Sequence, residues 1–250
     1  MTTTCRRFTD KTALVTGAGG GIGLAIAQRL AAEGARLVLA DLNADTLDAN
    51  VVKLRAGGAG DVMAHACDVS KEDQVAACVA AAVARFGGLD LVVNNAGLME
   101  FKAIADLTGA DWLRVLGVDL LGTAFFLKQA FLTMKPGGAV VNIASIHALQ
   151  TEALAAPYAA AKAAVLSLTR TASIEGKPKG LRCNAILPGA IDTPMLWDNP
   201  NVKSGVEKID RSDVGQPADI AAAVAFLGSD DAAFITGAAL NVDGGRLAHL

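Results

Sequence analysis

The stretch from residue 13 to residue 33 leaves this chain few folds to choose from. Ala13-Leu14-Val15 is a short apolar run with the character of a strand. It passes at once into Thr16-Gly17-Ala18-Gly19-Gly20-Gly21-Ile22-Gly23, and residues 24–33 then read as a helix closed by Gly34. A strand, a glycine-rich turn and a helix N-terminus, in that order, make an anion site. Glycines let the backbone approach a pyrophosphate, and the unpaired N–H groups and dipole of the helix attract its charge. A glycine-rich loop can also exist only because its turns need positive φ. The strand before and the helix after favour the phosphate reading. Gly17, Gly19, Gly21, Ile22 and Gly23 are therefore expected to cradle a dinucleotide.

The alternation continues. Residues 36–40 form a second strand ending in Asp41, with Leu42 next. An acid there can accept hydrogen bonds from both ribose hydroxyls of an adenosine and repels a 2′-phosphate. The glycine turn holds no Lys or Arg to receive such a phosphate, so NAD is favoured over NADP. A carboxylate that merely opens the following helix fits the same position. A third strand over 61–66 leads to Cys67-Asp68-Val69, where Asp68 could accept from an adenine amino group and Val69 lie against the ring. Ser70 reads as the next helix N-cap, with Asp73 three residues on. After a fourth strand over 89–93, Asn94-Asn95-Ala96-Gly97 suits a polar turn lining the cofactor crevice, or a turn chosen for its φ preferences.

A long helix from Ala110 to Met134 precedes a strand over 139–144 that delivers Ser145. A strand over 181–187 runs into Pro188-Gly189, and a last strand covers 238–242. With no linker or low-complexity tract, the pattern predicts an α/β protein: a Rossmann-like, doubly wound parallel sheet flanked by helices on both faces. Its ligand belongs at the C-terminal edge of the strands. Residues 1–250 read as a single dinucleotide-binding and catalytic domain, with a substrate loop at about 190–214.

Composition narrows the partners. A net charge of −3 offers no basic field to nucleic acid or an anionic membrane. The longest uninterrupted apolar run, residues 75–84, is far short of the ~20 residues of a membrane span. Residues 1–8 lack the apolar core of a secretory signal. Cys5, Cys67, Cys78 and Cys183 are scattered, as free thiols in a reducing cytosol would be, so a cytoplasmic location is expected. His65, His147 and His249 are equally dispersed, and no metal site is expected.

The chemistry-bearing stretch is Tyr158-Ala159-Ala160-Ala161-Lys162. Four residues apart on a helix, the tyrosine and lysine share one face. A free phenol has a pKa of about 10 and is a poor base at neutral pH. A neighbouring ammonium favours the phenolate and is expected to lower that pKa toward the working range.

Taken together, Thr16-Gly17-x3-Gly21-Ile22-Gly23, Asp68-Val69, Asn94-Asn95-Ala96-Gly97, Ser145, Tyr158-x3-Lys162 and Pro188-Gly189-x3-Thr193 resemble the motifs of the short-chain dehydrogenase/reductase family in order and spacing. The resemblance runs from residue 11 to residue 245. It implies an NAD-dependent oxidoreductase that interconverts a secondary alcohol and a ketone by hydride transfer. Tyr158 would be the acid/base. Lys162 would hold the nicotinamide ribose and tune the tyrosine, and Ser145 would hydrogen-bond the substrate oxygen. Thr193 and the backbone at Ile191 would hold the carboxamide, with Asn95, Ala96 and Gly97 beside the nicotinamide and Pro188-Gly189 behind it.

One position departs from the family. Where an Asn is usual, Val118-Asp119-Leu120-Leu121-Gly122 carries Asp119: a main-chain role in the proton relay behind Lys162 would survive the change, the side-chain amide donor would not, and an active enzyme with an altered relay is expected. The substrate pocket is expected from the turns after Ser145 and Gly97 and the loop after Thr193. Gln150, Met99, Glu100, Met195 and Trp197 are candidates there. His147 could orient a hydroxyl but reads as a solvated loop residue, and Glu152 as a surface one. The resemblance further implies a homotetramer. Two other readings are a catalytically impaired nucleotide-sensing protein and an NADP-dependent carbonyl or 3-oxoacyl reductase. A sugar-nucleotide epimerase would need a larger substrate domain than the chain has room for.

Overall fold

The first strand, β1 (Thr12–Thr16), is central because both of its faces are apolar. Ala13 and Val15 belong to one core and Leu14 to the other, all fully buried. This is the pattern of a strand covered on both sides by helices. We describe residues 6–248 from a computed structural model; Cys5 and His249 lie outside the described residues.

From β1 the chain moves outward through α1 (Gly21–Ala32), β2 (Arg36–Asp41), α2 (Ala44–Ala56) and β3 (Val62–Ala66). It then crosses back through α3 (Glu72–Phe86) to β4 (Leu91–Asn94). The second half builds in the other direction. It runs through α4 (Gly109–Leu116), a π-helical segment (Gly117–Leu121), α5 (Gly122–Thr133), β5 (Ala139–Ile143), α6 (Ala156–Gly176) and β6 (Arg182–Pro188). Two one-turn helices, α7 (Pro194–Trp197) and α8 (Pro200–Lys203), follow, then α9 (Pro217–Gly228) and β7 (Ala239–Val242). The seven strands pair in the order β3-β2-β1-β4-β5-β6-β7, every pair parallel. The winding reverses between β1 and β4, which opens a crevice at their C-terminal ends.

One layer buries Ile26 and Leu30 of α1, Leu47 of α2 and Ile220 and Val224 of α9 against the sheet. The other buries Val75 and Val79 of α3 with Phe126 and Leu127 of α5. Each such side chain contributes roughly 1.5–3 kcal/mol, which fixes the strands whose ends carry the site.

Three local expectations change. Ser70 is not the N-cap of α3; the cap position is Lys71, with no side-chain cap bond. Ser70 instead donates its hydroxyl to Asp68 Oδ1 at 2.7 Å. The helix over Gly109–Thr133 is continuous, but its middle is π-helical rather than regular. By length and composition alone that 25-residue helix could cross a membrane. In this fold it buries Asp119 and contributes Phe126 to the core instead. Residues 190–214 carry α7, α8 and a 3-10 turn at Arg211–Asp213. The base of that stretch is pinned, because Asp192 N–H donates to Gly215 O and Gly215 N–H to Ala190 O, both at 2.9 Å.

Candidate active site

The glycine turn is held in shape by amides from outside it. Asn50, buried in α2, donates Nδ2 to the carbonyls of Ala18 and Gly19, each at 3.0 Å. Asn95 donates Nδ2 to Thr16 O at 2.9 Å, and Thr16 Oγ1 accepts from the N–H groups of Asn95 and Ala96 at 2.9 and 3.0 Å. Gly17 has φ +64°, and a Cβ at Gly23 would lie 2.1 Å from Gly17 O, so helix and turn touch where no side chain fits. The N-cap of α1, Gly20, supplies no side-chain bond, so the first N–H groups of the helix are free to point at an anion. These features fit a pyrophosphate. Asp41 stands across the turn: Oδ2 accepts from Gly19 N–H at 2.9 Å and Oδ1 from Asn43 N–H at 3.2 Å. Its carboxylate is thereby fixed beside the turn.

From this turn a cavity of about 430 Å³ runs along the C-terminal strand edge. It brings together Gly17, Gly21, Ile22, Asp41, Asn95, Ala96, Gly97, Ser145, Tyr158, Lys162, Pro188, Gly189, Ile191 and Thr193. Of the expected substrate residues it takes in Met99, His147 and Met195. Other expected residues do not line it. Gly19 and Gly23 are used in packing, against Asp41 and Gly17 respectively. Leu42 is 75% exposed. Asp68 spends a carboxylate oxygen on Ser70, and Val69 packs where a Cβ on Gly122 would lie 2.9 Å away. Gln150 is exposed beyond the rim. Trp197 turns aside, donating Nε1 to Asp192 Oδ1 at 2.7 Å with Arg211 over its ring.

Two polar residues are not where a sequence reading puts them. His147 is half-buried, its ring edge-on to that of Tyr158 at 5.8 Å and Nδ1 2.9 Å from Thr151 Oγ1. Burial holds its pKa below the ordinary value, with Arg246 adding and Glu152 opposing. Glu152 is no surface group: it accepts from Asn199 Nδ2 at 2.9 Å. Asn199, Glu207 and Arg246, which also line the cavity, carry no motif; only the folded loop and the C-terminal segment bring them there. Asn50 had one signal, a polar residue on the apolar stripe of α2 formed by Leu47, Val51 and Leu54.

At the centre, α6 presents Tyr158 and Lys162 on one buried face. Pro157 in its first turn needs no N–H partner and has the right φ for a helix start. Lys162 Nζ lies 5.4 Å from the Tyr158 ring and donates to Ile143 O, at the end of β5, at 3.1 Å. Ser145, two residues past that strand, is 5% exposed and accepts from His147 N–H at 3.2 Å. The expected drop in the tyrosine pKa is overturned. Burial dominates and raises it, Asp119 adds to the rise, and Lys162 and Ser145 only partly oppose.

Asp119 is fully buried in the π-helical segment. Its Oδ1 accepts from Leu98 N–H at 2.8 Å; among the described residues Oδ2 has no hydrogen-bond partner, and it lies 3.8 Å from Lys162 Nζ. Its main-chain carbonyl accepts from Thr123 Oγ1 at 3.0 Å. Burial outweighs the attraction of Lys162 and pushes this carboxyl up to about 6. A folded-state pKa above the unfolded one means the native state holds the extra proton. The contribution to stability is then full at low pH and lost as pH rises from about 4 through about 6. Against Asp119→Asn, the wild type should lose about 2 kcal/mol of relative stability over that range. Urea unfolding of both proteins from pH 4 to 7 measures it; a difference independent of pH would refute the assignment.

A family model described as "Enoyl-(Acyl carrier protein) reductase" matches residues 17–246. Cis-4-hydroxycyclohexanecarboxylate dehydrogenase of Sinomonas cyclohexanicum is 41% identical, covering 96% of this chain and 98% of its own. L-rhamnose 1-dehydrogenase (NAD(P)(+)) of Azotobacter vinelandii is 38% identical, with the same two coverages, 96% and 98%. The crystal structure of levodione reductase superposes with a TM-score of 0.91 at 37% identity, over 98% of this chain and all of that one.

Proposed function

The chain belongs to the short-chain dehydrogenase/reductase family, and from that premise we propose that it is an NAD-dependent dehydrogenase interconverting a secondary alcohol and its ketone. The observation that carries the reading is the meeting of Tyr158, Lys162 and Ser145 in one cavity with the glycine cradle. The family model's description names enoyl reduction. Ser145 beside Tyr158 suits instead a substrate oxygen that gains or loses a proton, and the relatives above are named for alcohol and ketone chemistry.

When bound, the nicotinamide accepts or supplies the hydride. Gly17, Gly21, Ile22 and the start of α1 would hold the pyrophosphate, and Asp41 the adenosine ribose. Lys162 would hold the nicotinamide ribose, and Ile191 and Thr193 the carboxamide. In oxidation, Tyr158 Oη removes the hydroxyl proton, while Ser145 Oγ fixes the substrate oxygen and stabilises charge on it. In reduction the same proton returns. A phenol whose pKa burial has raised stays protonated but is a weaker acid, and Lys162 is the nearby cation that must offset that burial in both directions. Asp119 acts through Lys162 as a positioning residue.

The preference for NAD rests on Asp41, whose fixed carboxylate would face a 2′-phosphate. We read the chain as one catalytic unit whose residues 190–214 close over the substrate, supported by the pinned base of that stretch. A homotetramer is supported by apolar surface left on the outer elements, such as Leu132, Ile174 and Phe234. Sedimentation at the monomer mass would count against it.

The deciding assay follows nicotinamide reduction over a set of secondary alcohols with NAD and with NADP. We expect turnover with kcat/KM for NAD exceeding that for NADP by about 10²-fold or more, since an unpaired charge clash in a desolvated site is worth several kcal/mol. No turnover with any alcohol would remove the dehydrogenase reading; equal use of NADP would remove only the role given to Asp41.

A further inference from the structure

The substrate end of the cavity carries a polar group that the hydride chemistry does not use. Glu207 lines this end and is ion-paired with Arg246, which comes from the segment after β7. Its other oxygen, Oε2, is 3.4 Å from Asn199 Nδ2, and the same amide donates to Glu152 Oε1 at 2.9 Å. Asn199 is itself fixed: it is 5% exposed, and its Oδ1 accepts from Asn201 N–H at 2.9 Å. Glu207 N–H donates to Asn201 O at 2.9 Å, so backbone and side chain are both held. His147 continues this polar wall to the ring of Tyr158.

We propose that Glu207, clamped between Arg246 and Asn199, receives a second, uncharged hydroxyl on the substrate, so that this enzyme takes diols and polyols ahead of simple alcohols and hydroxy acids. The assignment rests on the alcohol dehydrogenase reading above and adds the class of alcohol.

The donor and acceptor inventory supports a hydroxyl. A carboxylate oxygen accepts two hydrogen bonds, so Glu207 has capacity left after Arg246 and Asn199 are counted. A substrate hydroxyl can donate to it and accept from a remaining guanidinium N–H of Arg246. An anionic group has no such place. Arg246 is already paired, and a second carboxylate, Glu152, stands behind Glu207. Burial and Glu152 push the Glu207 carboxyl above its ordinary range, and an added anion would face the negative charge this pair carries. A purely apolar substrate would desolvate this half-buried ion pair and leave its spare donor and acceptor sites unfilled.

The test is a panel with one ring: cyclohexanol, the cyclohexane diols and the hydroxycyclohexanecarboxylates, each with NAD. In the wild type the best diol should exceed cyclohexanol in kcat/KM by about 10- to 100-fold, the range of one hydrogen bond to a charged group. It should exceed every hydroxy acid as well. In Glu207→Leu, which removes the acceptor at similar volume, the diol-to-cyclohexanol ratio should fall to within about 3-fold of unity, a measure independent of how much of the variant folds. A hydroxy acid that outperforms the diols, cyclohexanol that matches them, or a ratio preserved in Glu207→Leu would each overturn the proposal. Should the variant not fold, the wild-type panel decides alone. Cyclohexanol turnover without a diol preference sinks only this assignment, whereas no turnover across the panel sinks the dehydrogenase reading and the assignment with it.

Discussion

Tyr158→Phe is expected to lower kcat/KM for alcohol oxidation by about 10²- to 10⁴-fold, the range of a positioned acid/base, while NAD binding changes by less than about 3-fold. The substitution keeps the ring that packs beside His147 and Lys162 and removes only the phenolic oxygen. Lys162→Met should differ in kind. Its ammonium donates to Ile143 O, offsets the burial of Tyr158 and lies by the expected ribose site, so both turnover and cofactor affinity should fall. The pH–rate profile separates the two further. Because burial has raised the Tyr158 pKa and Lys162 opposes the rise, removing the lysine should move the acidic limb for oxidation, where the rate climbs as the phenol ionises, to still higher pH. A Tyr158→Phe enzyme that keeps more than a tenth of wild-type kcat/KM would mean that another group moves the proton.

Gly23→Ala is expected to cost about 3 kcal/mol of stability and to abolish measurable NAD binding, the upper end of what one overpacked methyl does. The reason is distance. The added Cβ would stand 2.1 Å from Gly17 O and 2.7 Å from Asn95 Nδ2, so helix α1 and the glycine turn must separate. That separation would also break the bonds by which Asn95 ties β4 to the turn at the end of β1. Gly20→Ala is the control, since nothing lies within 4 Å of its Cβ position; its stability should stay within about 0.5 kcal/mol of the wild type. Urea unfolding and NAD titration of the two variants decide the matter. Equal stability and equal NAD affinity for both would mean that the close approach at Gly23 does not hold the cradle.

The contrast between Gly23 and Glu207 shows where sequence reading succeeds and where it stops. Gly23, Tyr158 and Lys162 lie within single strand–turn–helix or helical units, whose periods of two and 3.6 residues are written in adjacent letters. The parallel sheet follows from repetition of such units. Glu207, Asn199 and Arg246 come from a stretch without period and from the segment after the last strand, and they meet only through long-range closure. Burial is the other quantity that adjacent letters do not give. The helical spacing of Tyr158 and Lys162 was legible, but the sign of the Tyr158 shift depends on desolvation and on Asp119, a residue of another helix. The same holds for Glu33, readable only as the end of α1. In the fold it is 2% exposed and joined to Arg7 and Arg29, each at 2.6 Å.

The π-helical segment at Gly117–Leu121 has a consequence for the chain's tolerance of length changes. A π turn holds one residue more than the α turn it replaces. Before it, the helix packs Val115 with Tyr158 and Ala161; after it, the helix packs Phe126 and Leu127 into the core with α3. Deleting one residue there would close it to an ordinary α turn and leave the two halves in nearly the same phase, whereas deleting one in the regular helix on either side would rotate one half against the other by about 100°. The segment can therefore give up a residue with Val115 and Phe126 still facing their partners, at the cost of the bulge that carries Asp119. The neighbouring turns have no such allowance, and that is a property point substitution cannot probe.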